Sequence, residues 1–264
     1  MAHSREQKGQ LYVGTSGWSY GWEAFYPADL PSREYLSYYS QQFRTVEVNY
    51  SFYHLPRPST YENWAARTPR DFTFAVKLSK FITHVKRLSG VDQELEKFLA
   101  NATALGPKLG PILIQLPPSL SYDPARLSEF LTAMKAVSAT IGMERPLRLA
   151  TEFRHRSWFD TQGMQEVLPM LTSHGAAFVL AHSNRFPYPE EEPVTSDFMY
   201  LRFHGPERMF ASQYGRERLM RWVPSLKRWV ERGLDVYVYF NNDMSGYAIA
   251  DARETLELLR APAR

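Results

Sequence analysis

The chain has 264 residues, of which 44% are apolar and 22% are charged, so it is long enough for a large hydrophobic core and too weakly charged for a disordered polyelectrolyte. The net charge of +3 does not by itself indicate nucleic-acid binding. The sequence has no cysteine, which excludes disulfides, thiolate nucleophiles, thiolate zinc sites and iron–sulfur clusters.

The first ten residues, MAHSREQKGQ, are polar and lack an apolar core segment. We therefore expect a short polar N-terminal tail without a secretory signal, and a cytoplasmic protein that does not bind membranes. No Gly/Ser-rich linker or internal repeat divides the sequence, which predicts one domain over residues 1–264.

Eight short β-rich runs alternate with amphipathic helical patterns along the chain. Such alternation predicts a parallel sheet, and eight repeats at this length predict a TIM-type (β/α)8 parallel barrel over about residues 11–259. An open doubly wound sheet is the alternative, disfavoured because no G-x-G-x-x-G motif follows the first run. The predicted strands cover 11–18, 45–53, 72–79, 111–117, 147–154, 176–183, 198–205 and 236–243.

Three segments between the strands have informative patterns. Asp123 and Pro124 form a side-chain cap followed by a residue suited to a first turn, which predicts that a helix begins there. Apolar residues at three- and four-residue spacing over 219–230 predict one continuous helix. The stretch 184–196 has three prolines and no apolar period, so we expect an irregular loop in place of the sixth helix.

Strand side chains alternate between the helices and the barrel axis. If the apolar residues face the helices, polar residues near the carboxyl ends of the strands face the axis, where TIM-barrel enzymes place their active sites. The alternation places His182 on the side that faces the helices, so we expect it to be a hydrogen-bonded histidine of the core. The inward set is Ser16, Trp18, Glu47, Asn49, Ser51, Tyr53, Lys77, Ser79, Gln115, Glu152, Arg154, Arg202, His204, Tyr239, Asn241 and Asp243.

The inward set contains three carboxylates and three cations. Burying a charge costs several kcal/mol unless it is paired, so this cluster indicates either a functional site or a self-neutralised network that only stabilises the barrel. Three nearby cations would repel a divalent metal ion, so we expect no cofactor and no tightly bound metal. The alternative is a metal bound by Glu152, His204 and Asp243.

The leading hypothesis is an acid/base enzyme acting on a small phosphate- or carboxylate-bearing, sugar-like substrate at the barrel mouth. Arginines suit the anion because they bind phosphate and carboxylate with two hydrogen bonds. Lys77 has two further open roles, as a base or as a Schiff-base amine. Glu47 and Glu152 would transfer protons, Lys77, His204 and Asp243 would assist, Arg154 and Arg202 would hold the anion, and Asn49, Gln115 and Asn241 would orient hydroxyls.

Two further hypotheses remain open. Basic residues beyond the third and fifth strands, together with aromatic residues after the first, are compatible with a nucleic-acid phosphodiesterase that uses a divalent metal. The other hypothesis is that the protein binds a metabolite without turnover or serves as a scaffold. The basic residues are Lys80, His84, Lys86, Arg87, His155 and Arg156.

Seven segments closely resemble motifs of the YecE-like family, known as domain of unknown function 72. They are VGTSGWSYGWEAFYP, VEVNYSFYHLP, FAVKLSKFITH, LGPKLGPILIQLPPS, EFRHRSW, YLRFHG and YVYFNND, in chain order. The resemblance implies a TIM-type barrel and supplies no reaction. Its motifs include most of the inward residues and add His155, Trp158 and Asn242 as candidate substrate-binding residues.

Overall fold

Eight parallel strands surround a central axis in the order β1-β8-β7-β6-β5-β4-β3-β2. A computed structural model describes residues 8–143 and 145–261, so most of the predicted N-terminal tail lies outside the described residues. The predicted TIM-type barrel is confirmed. The strands are β1 (Leu11–Thr15), β2 (Thr45–Val48), β3 (Thr73–Lys77), β4 (Leu109–Gln115), β5 (Leu149–Glu152), β6 (Ala177–His182), β7 (Phe198–Phe203) and β8 (Asp235–Phe240).

Helices cover the outside of the strands, and the connection between β6 and β7 has no helix, as expected for the sixth repeat. None of the described helices is both long and apolar enough to cross a membrane. The helices are α1 (Tyr35–Gln42), α2 (Tyr50–Tyr53), α3 (Pro58–Ala66), α4 (Asp92–Ala102), α5 (Pro124–Thr140), α6 (Thr161–His174), α7 (Gly215–Met220), α8 (Val223–Glu231) and α9 (Tyr247–Arg260). Shorter helical turns occupy Ser32–Glu34, Phe81–Val85, Thr103–Lys108, Arg156–Trp158 and Met244–Gly246.

The predicted start of α5 is confirmed, because the Asp123 side chain accepts a hydrogen bond from the backbone N–H of Arg126 at 3.1 Å. The prediction of one helix over 219–230 is wrong. The chain forms α7 and α8 instead, and Pro224 lies in the first turn of α8, where its missing N–H costs no helical hydrogen bond.

A narrow seam between β1 and β2 closes the barrel. Ser16 and Glu47 form an isolated parallel bridge, and the N–H of Gly17 donates to the Glu47 carbonyl at 2.8 Å. Gly14 permits this approach, since a Cβ there would lie 2.2 Å from the Thr45 carbonyl oxygen. The Tyr39 hydroxyl links both strands, accepting from Thr15 N at 2.8 Å and donating to Thr45 O at 3.1 Å.

Buried side chains form two layers, one between the strands and the helices and one inside the barrel. Branched and aromatic residues such as Val46, Ile112 and Leu201 pack against the helices, as the parity argument requires. The interior holds tyrosines, including Tyr200 and Tyr239, against small residues on the opposite strands. These buried tyrosines fill the barrel interior around them.

Candidate active site

Arg202 on β7 lies at the centre of the barrel and has no solvent exposure. Its Nε and Nη2 donate to the two carboxylate oxygens of Glu47 at 2.9 and 2.7 Å. Ser16 and Tyr200 donate to the same carboxylate, each at 2.7 Å. Glu47 on β2 therefore accepts four hydrogen bonds and is saturated.

Glu152, at the end of β5, is the second carboxylate bound to this guanidinium. It accepts from Arg202 Nη1 through Oε2 and from Arg154 Nε through Oε1, the latter at 2.7 Å. Arg202 is thus shared by two carboxylates from opposite sides of the barrel. Its donors are occupied by protein, so the geometry does not favour the expected role of Arg202 in holding a substrate anion.

Both carboxylates are held in the ionised form. Burial raises the pKa of each, but the positive charge of Arg202 and its hydrogen bonds outweigh burial at Glu47, whose pKa is lowered. At Glu152 the charges of Arg154 and Arg202 outweigh burial and hold the pKa well below its ordinary value. A carboxylate that stays ionised is a poor proton donor, so this geometry favours a positioning role for both residues.

Lys77 is the last residue of β3, and its side chain is buried at the mouth. Its Nζ lies 4.0 Å from the centroid of the Phe52 ring. Within residues 8–143 and 145–261, no carboxylate pairs with this amine. Burial and the charges of Arg202 and Arg154 lower the pKa of Lys77 to about 7.

His84 lies on the helical turn that follows β3 and shares the Phe52 ring with Lys77. Its ring packs edge-on against Phe52, with centroids 5.0 Å apart, and its Nε2 lies 3.4 Å from Gln115 Nε2. Burial and the charge of Lys77 lower the pKa of His84 to about 4. The sequence placed His84 only on the basic rim, whereas the structure brings a neutral imidazole next to the buried amine.

His204 is fully buried beyond the end of β7. Its Nδ1 lies 3.0 Å from Asn241 Nδ2, and its Nε2 lies 3.9 Å from Glu152 Oε2. Burial and the charge of Arg202 lower the pKa of His204 to about 4, so the imidazole is neutral at pH 7. His204 and Asn241 thus extend the polar floor around Glu152.

Asp243 lies to one side of this network, in a groove of about 690 Å³ beside the start of α9. Its Oδ1 is buried and has no hydrogen-bond partner among the residues that the structure describes. Burial raises the pKa of Asp243 to about 7, while hydrogen bonding from Tyr20 opposes the shift. The expected balance of three carboxylates against three cations therefore does not form as one cluster.

The central network balances its charges without Lys77. The carboxylates of Glu47 and Glu152 offset the guanidinium groups of Arg202 and Arg154. Lys77 is a titratable group added to this neutral cluster, so no net negative charge there offsets the cost of burying its protonated form.

Two candidate binding residues, Tyr53 and Trp18, lie elsewhere than the strand alternation predicts. Tyr53 belongs to α2 and is 68% exposed, because the chain leaves the strand after Val48 and forms a helical turn. Trp18 lies past the end of β1 and packs edge-on against Trp64 of α3. Both predictions of inward orientation are wrong, because parity holds only inside the strand.

Two candidates that came from the motif resemblance, Trp158 and Asn242, make structural contacts. Trp158 is buried in the core, where its Nε1 donates to Leu120 O at 2.9 Å. Asn242 donates to Asp251 of α9 at 2.8 Å and to Ser212 O at 2.9 Å, which fixes the last helix against the β7–α7 loop. His155 is half-buried, and its Nδ1 accepts from Ser157 N at 3.2 Å at the following turn.

Two other assignments concern Ser51 and His182. Ser51, predicted to face inward from β2, lies on α2 and donates to Lys77 O at 2.6 Å. His182 packs on the helix side, with Nδ1 2.8 Å from the Tyr214 hydroxyl and its ring beside Trp222. Ser51 therefore anchors the backbone of Lys77 rather than presenting a hydroxyl to the axis.

Tyr200 is a member of the network that sequence reasoning missed. It lies two residues before Arg202 on β7, and its hydroxyl donates to Glu47 at 2.7 Å. The alternation that turns Arg202 and His204 inward also turns Tyr200 inward, so the signal was present.

A divalent metal on Glu152, His204 and Asp243 was the alternative to a metal-free site. Across residues 8–143 and 145–261, no group of three or more His, Asp or Glu side chains forms a candidate metal cluster. Glu152 itself directs both oxygens at arginines.

Comparisons with known proteins agree with this architecture. The family model "Protein of unknown function DUF72" matches residues 12–264. The UPF0759 protein YunF of Bacillus subtilis is 27% identical, covering 94% of each chain. The crystal structure of a DUF72 family protein from Thermotoga maritima superposes with a TM-score of 0.80 at 29% identity, covering 96% of this chain and 100% of that one. D-psicose 3-epimerase superposes with a TM-score of 0.57 at 13% identity, covering 94% and 98%, which shows a shared fold.

Proposed function

Because this chain belongs to the DUF72 family, whose function is undescribed, we propose a function from the chemistry of the site itself. The protein is an enzyme that binds a small anionic, sugar-like substrate at the carboxyl end of the barrel and transfers a proton through Lys77. This assigns to Lys77 the role that Glu47 and Glu152 were expected to fill.

Lys77 carries the proposal. It is a buried amine at the catalytic end of the fold, and its neighbouring carboxylates are bound to arginines. An amine with a pKa of about 7 can both accept and release a proton at neutral pH, which is what efficient general acid/base catalysis requires.

Arg154 supports the anionic character of the substrate. Only its Nε binds Glu152, while its guanidinium lies 4.6 Å from the centroid of Phe186 and its side chain keeps 12% exposure. The terminal nitrogens have no carboxylate partner among the described residues, so they are available for a phosphate or carboxylate.

Polar side chains at the same end of the barrel as Lys77 support a hydroxyl-bearing substrate. Gln115 is 2% exposed at the end of β4, and Asn241 is 9% exposed beyond β8. Asn49 Oδ1 is buried and has no hydrogen-bond partner within the described part of the chain. Amides can donate to and accept from sugar hydroxyls, and an unpaired buried oxygen gains from a ligand donor.

Solvent exchange of carbon-bound hydrogen tests this proposal. Sugar phosphates and sugar acids are first ranked by the thermal shift they cause, and the best ligands are incubated with the protein in D2O. Mass spectrometry should detect deuterium incorporation, reduced by about 10²–10⁴-fold in Lys77→Met, the range for loss of an acid/base group. Lys97→Met, an exposed change on α4, should exchange like the wild type. Binding with no exchange would favour a non-catalytic metabolite-binding protein.

Nucleic-acid binding is a second candidate, supported by the rim of the mouth. Tyr50 and Tyr53 on α2 are 52% and 68% exposed, and Phe81 after β3 is 42% exposed. Lys86 Nζ lies 5.6 Å from the Phe81 ring centroid, and Lys80 is exposed beside it. Exposed rings next to cations are typical of surfaces that stack and neutralise single-stranded nucleic acid.

Fluorescence anisotropy with a labelled single-stranded oligonucleotide tests this candidate. Binding should weaken steeply with added salt, and should weaken further in the double variant Tyr53→Ala, Lys86→Ala. Met220→Ala changes an exposed apolar residue of α7 and serves as the control. Equal affinity of the two variants would exclude this surface.

A further inference from the structure

The environment of Lys77 also bears on the chemical class of the substrate. We propose that the Lys77 amine forms an imine with the carbonyl carbon of a substrate whose phosphate or carboxylate is held by Arg154. The inference rests on the function proposed above and narrows it to aldehydes and ketones that bear an anionic group.

The Lys77 amine is held in a fixed position with an apolar surface on one side. Its Nζ lies 4.0 Å from the Phe52 ring centroid, so one side is closed by an apolar surface. Ser51 fixes the backbone at this residue by donating to Lys77 O at 2.6 Å. A lysine that is buried, anchored and free of a carboxylate partner keeps its lone pair available for attack on carbon.

The surroundings of the amine disfavour its protonated form. Burial is the largest cause, and the charges of Arg202 and Arg154 add to it, whereas Glu152 and Glu47 offset only part of the effect. The pKa of Lys77, lowered to about 7, is consistent with an amine that is neutral in a large fraction of molecules. Desolvation beside other cations is a known way to activate a lysine nucleophile.

Imine formation also needs a proton path. The amine lone pair adds to the carbonyl carbon, and the carbonyl oxygen becomes a hydroxyl by taking up the proton released from nitrogen. The hydroxyl then leaves as water when it is protonated and nitrogen forms the double bond, so one water is released and nothing is oxidised. The proton released from the Lys77 nitrogen, whose pKa is about 7, and the one that converts the hydroxyl to water can both exchange with solvent at the barrel mouth, so neither has to be stored in the protein.

Reductive trapping tests the inference on the wild-type protein. Glyoxylate and pyridoxal 5′-phosphate each combine an aldehyde with an anionic group, and sodium borohydride converts their imines to stable secondary amines. Peptide mapping by mass spectrometry should show Lys77 labelled before the exposed Lys80 and Lys97. Inorganic phosphate should compete with the label, because it occupies the terminal nitrogens of Arg154.

Arg154→Met removes the proposed anion ligand together with one of the charges that lower the pKa of Lys77, and both changes act against labelling. Arg154→Met should reduce the labelling rate at Lys77 by about tenfold or more, since a charge-assisted hydrogen bond contributes about 1.5–3 kcal/mol. Lys97→Met should leave labelling at Lys77 unchanged. Circular dichroism of each variant establishes that it is folded.

The outcomes distinguish this inference from the proposed function. Labelling of exposed lysines with Lys77 untouched overturns the imine. If deuterium exchange still depends on Lys77 in that case, the proton-transfer function stands without covalent chemistry. If exchange is also independent of Lys77, both proposals fail.

Discussion

Arg202 donates two parallel hydrogen bonds to Glu47, one from Nε at 2.9 Å and one from Nη2 at 2.7 Å. Both side chains are fully buried, and Arg202 also binds Glu152. Buried ion pairs of this kind gain little over apolar packing, but removing one partner leaves the other charge uncompensated. Arg202 therefore determines whether two interior carboxylates can remain ionised.

Replacing Arg202 with Met should destabilise the protein by about 3–5 kcal/mol in urea unfolding, the range for breaking a buried pair. The control is Arg228→Met, which removes a 54% exposed partner of Glu192 and should cost about 0–1 kcal/mol. A similar decrease in the free energy of unfolding in the two variants would contradict a central structural role for Arg202.

His204 should make stability depend on pH in the acidic range. Its pKa in the folded protein is lowered to about 4, so between pH 4 and its ordinary value of 6.5 the unfolded chain binds a proton that the folded protein does not. Stability contributed by the neutral ring is complete above pH 6.5 and is lost as pH falls towards 4.

The free energy of unfolding of wild type relative to His204→Gln should therefore fall by roughly 1–3 kcal/mol between pH 7 and pH 4, since one pKa unit corresponds to about 1.4 kcal/mol. Urea titrations at several pH values measure this difference. Met220→Ala, an exposed change on α7 that removes no titratable group, is the control and should show a flat difference. A flat difference for His204→Gln would mean that the ring is not buried in the neutral form.

Trp158 should behave as a core residue. Trp158→Phe removes the donor to Leu120 O and should cost about 1–3 kcal/mol in stability, with binding of anionic ligands unchanged. Tyr53→Phe, at a 68% exposed position, should change stability by no more than about 0.5 kcal/mol. Lost ligand binding at full stability in Trp158→Phe would restore the expectation that this residue contacts substrate.

Gly14 should be essential for closure of the β1–β2 seam. In Gly14→Ala the new Cβ would lie 2.2 Å from Thr45 O, so the strands must separate, at a cost of about 1–3 kcal/mol or more. Gly21→Ala meets nothing within 4 Å and is a matched control of the same chemistry. Denaturant midpoints and hydrogen exchange of the Glu47 and Gly17 amides would measure the effect.

The periodic features of this fold could be predicted from sequence. Alternation of β-rich and amphipathic segments identified all eight strands, and Asp123 identified a helix start. Parity inside the strands also gave the inward positions of Glu47, Lys77 and Arg202, because backbone geometry alone fixes that alternation.

The alternation of side chains does not apply beyond the strand ends, because the backbone there is no longer extended. Tyr53 and Trp18 were assigned inward by extending the alternation into residues where the backbone turns. Trp158 followed from a motif resemblance that does not separate packing from binding. The pairing of one arginine with carboxylates of two strands depends on distances across the barrel, which no local pattern encodes.

The interior network is electrically balanced before Lys77 is counted. An anion that enters beside Arg154 adds one negative charge, and a proton on Lys77, or on the imine nitrogen derived from it, restores the balance. Ligand binding near neutral pH should therefore draw a proton from solution, and calorimetric heats should differ between buffers of different ionisation enthalpy. Protonation of the amine would then balance the charge of the bound anion, so the affinity of the barrel mouth for an anion would depend on pH.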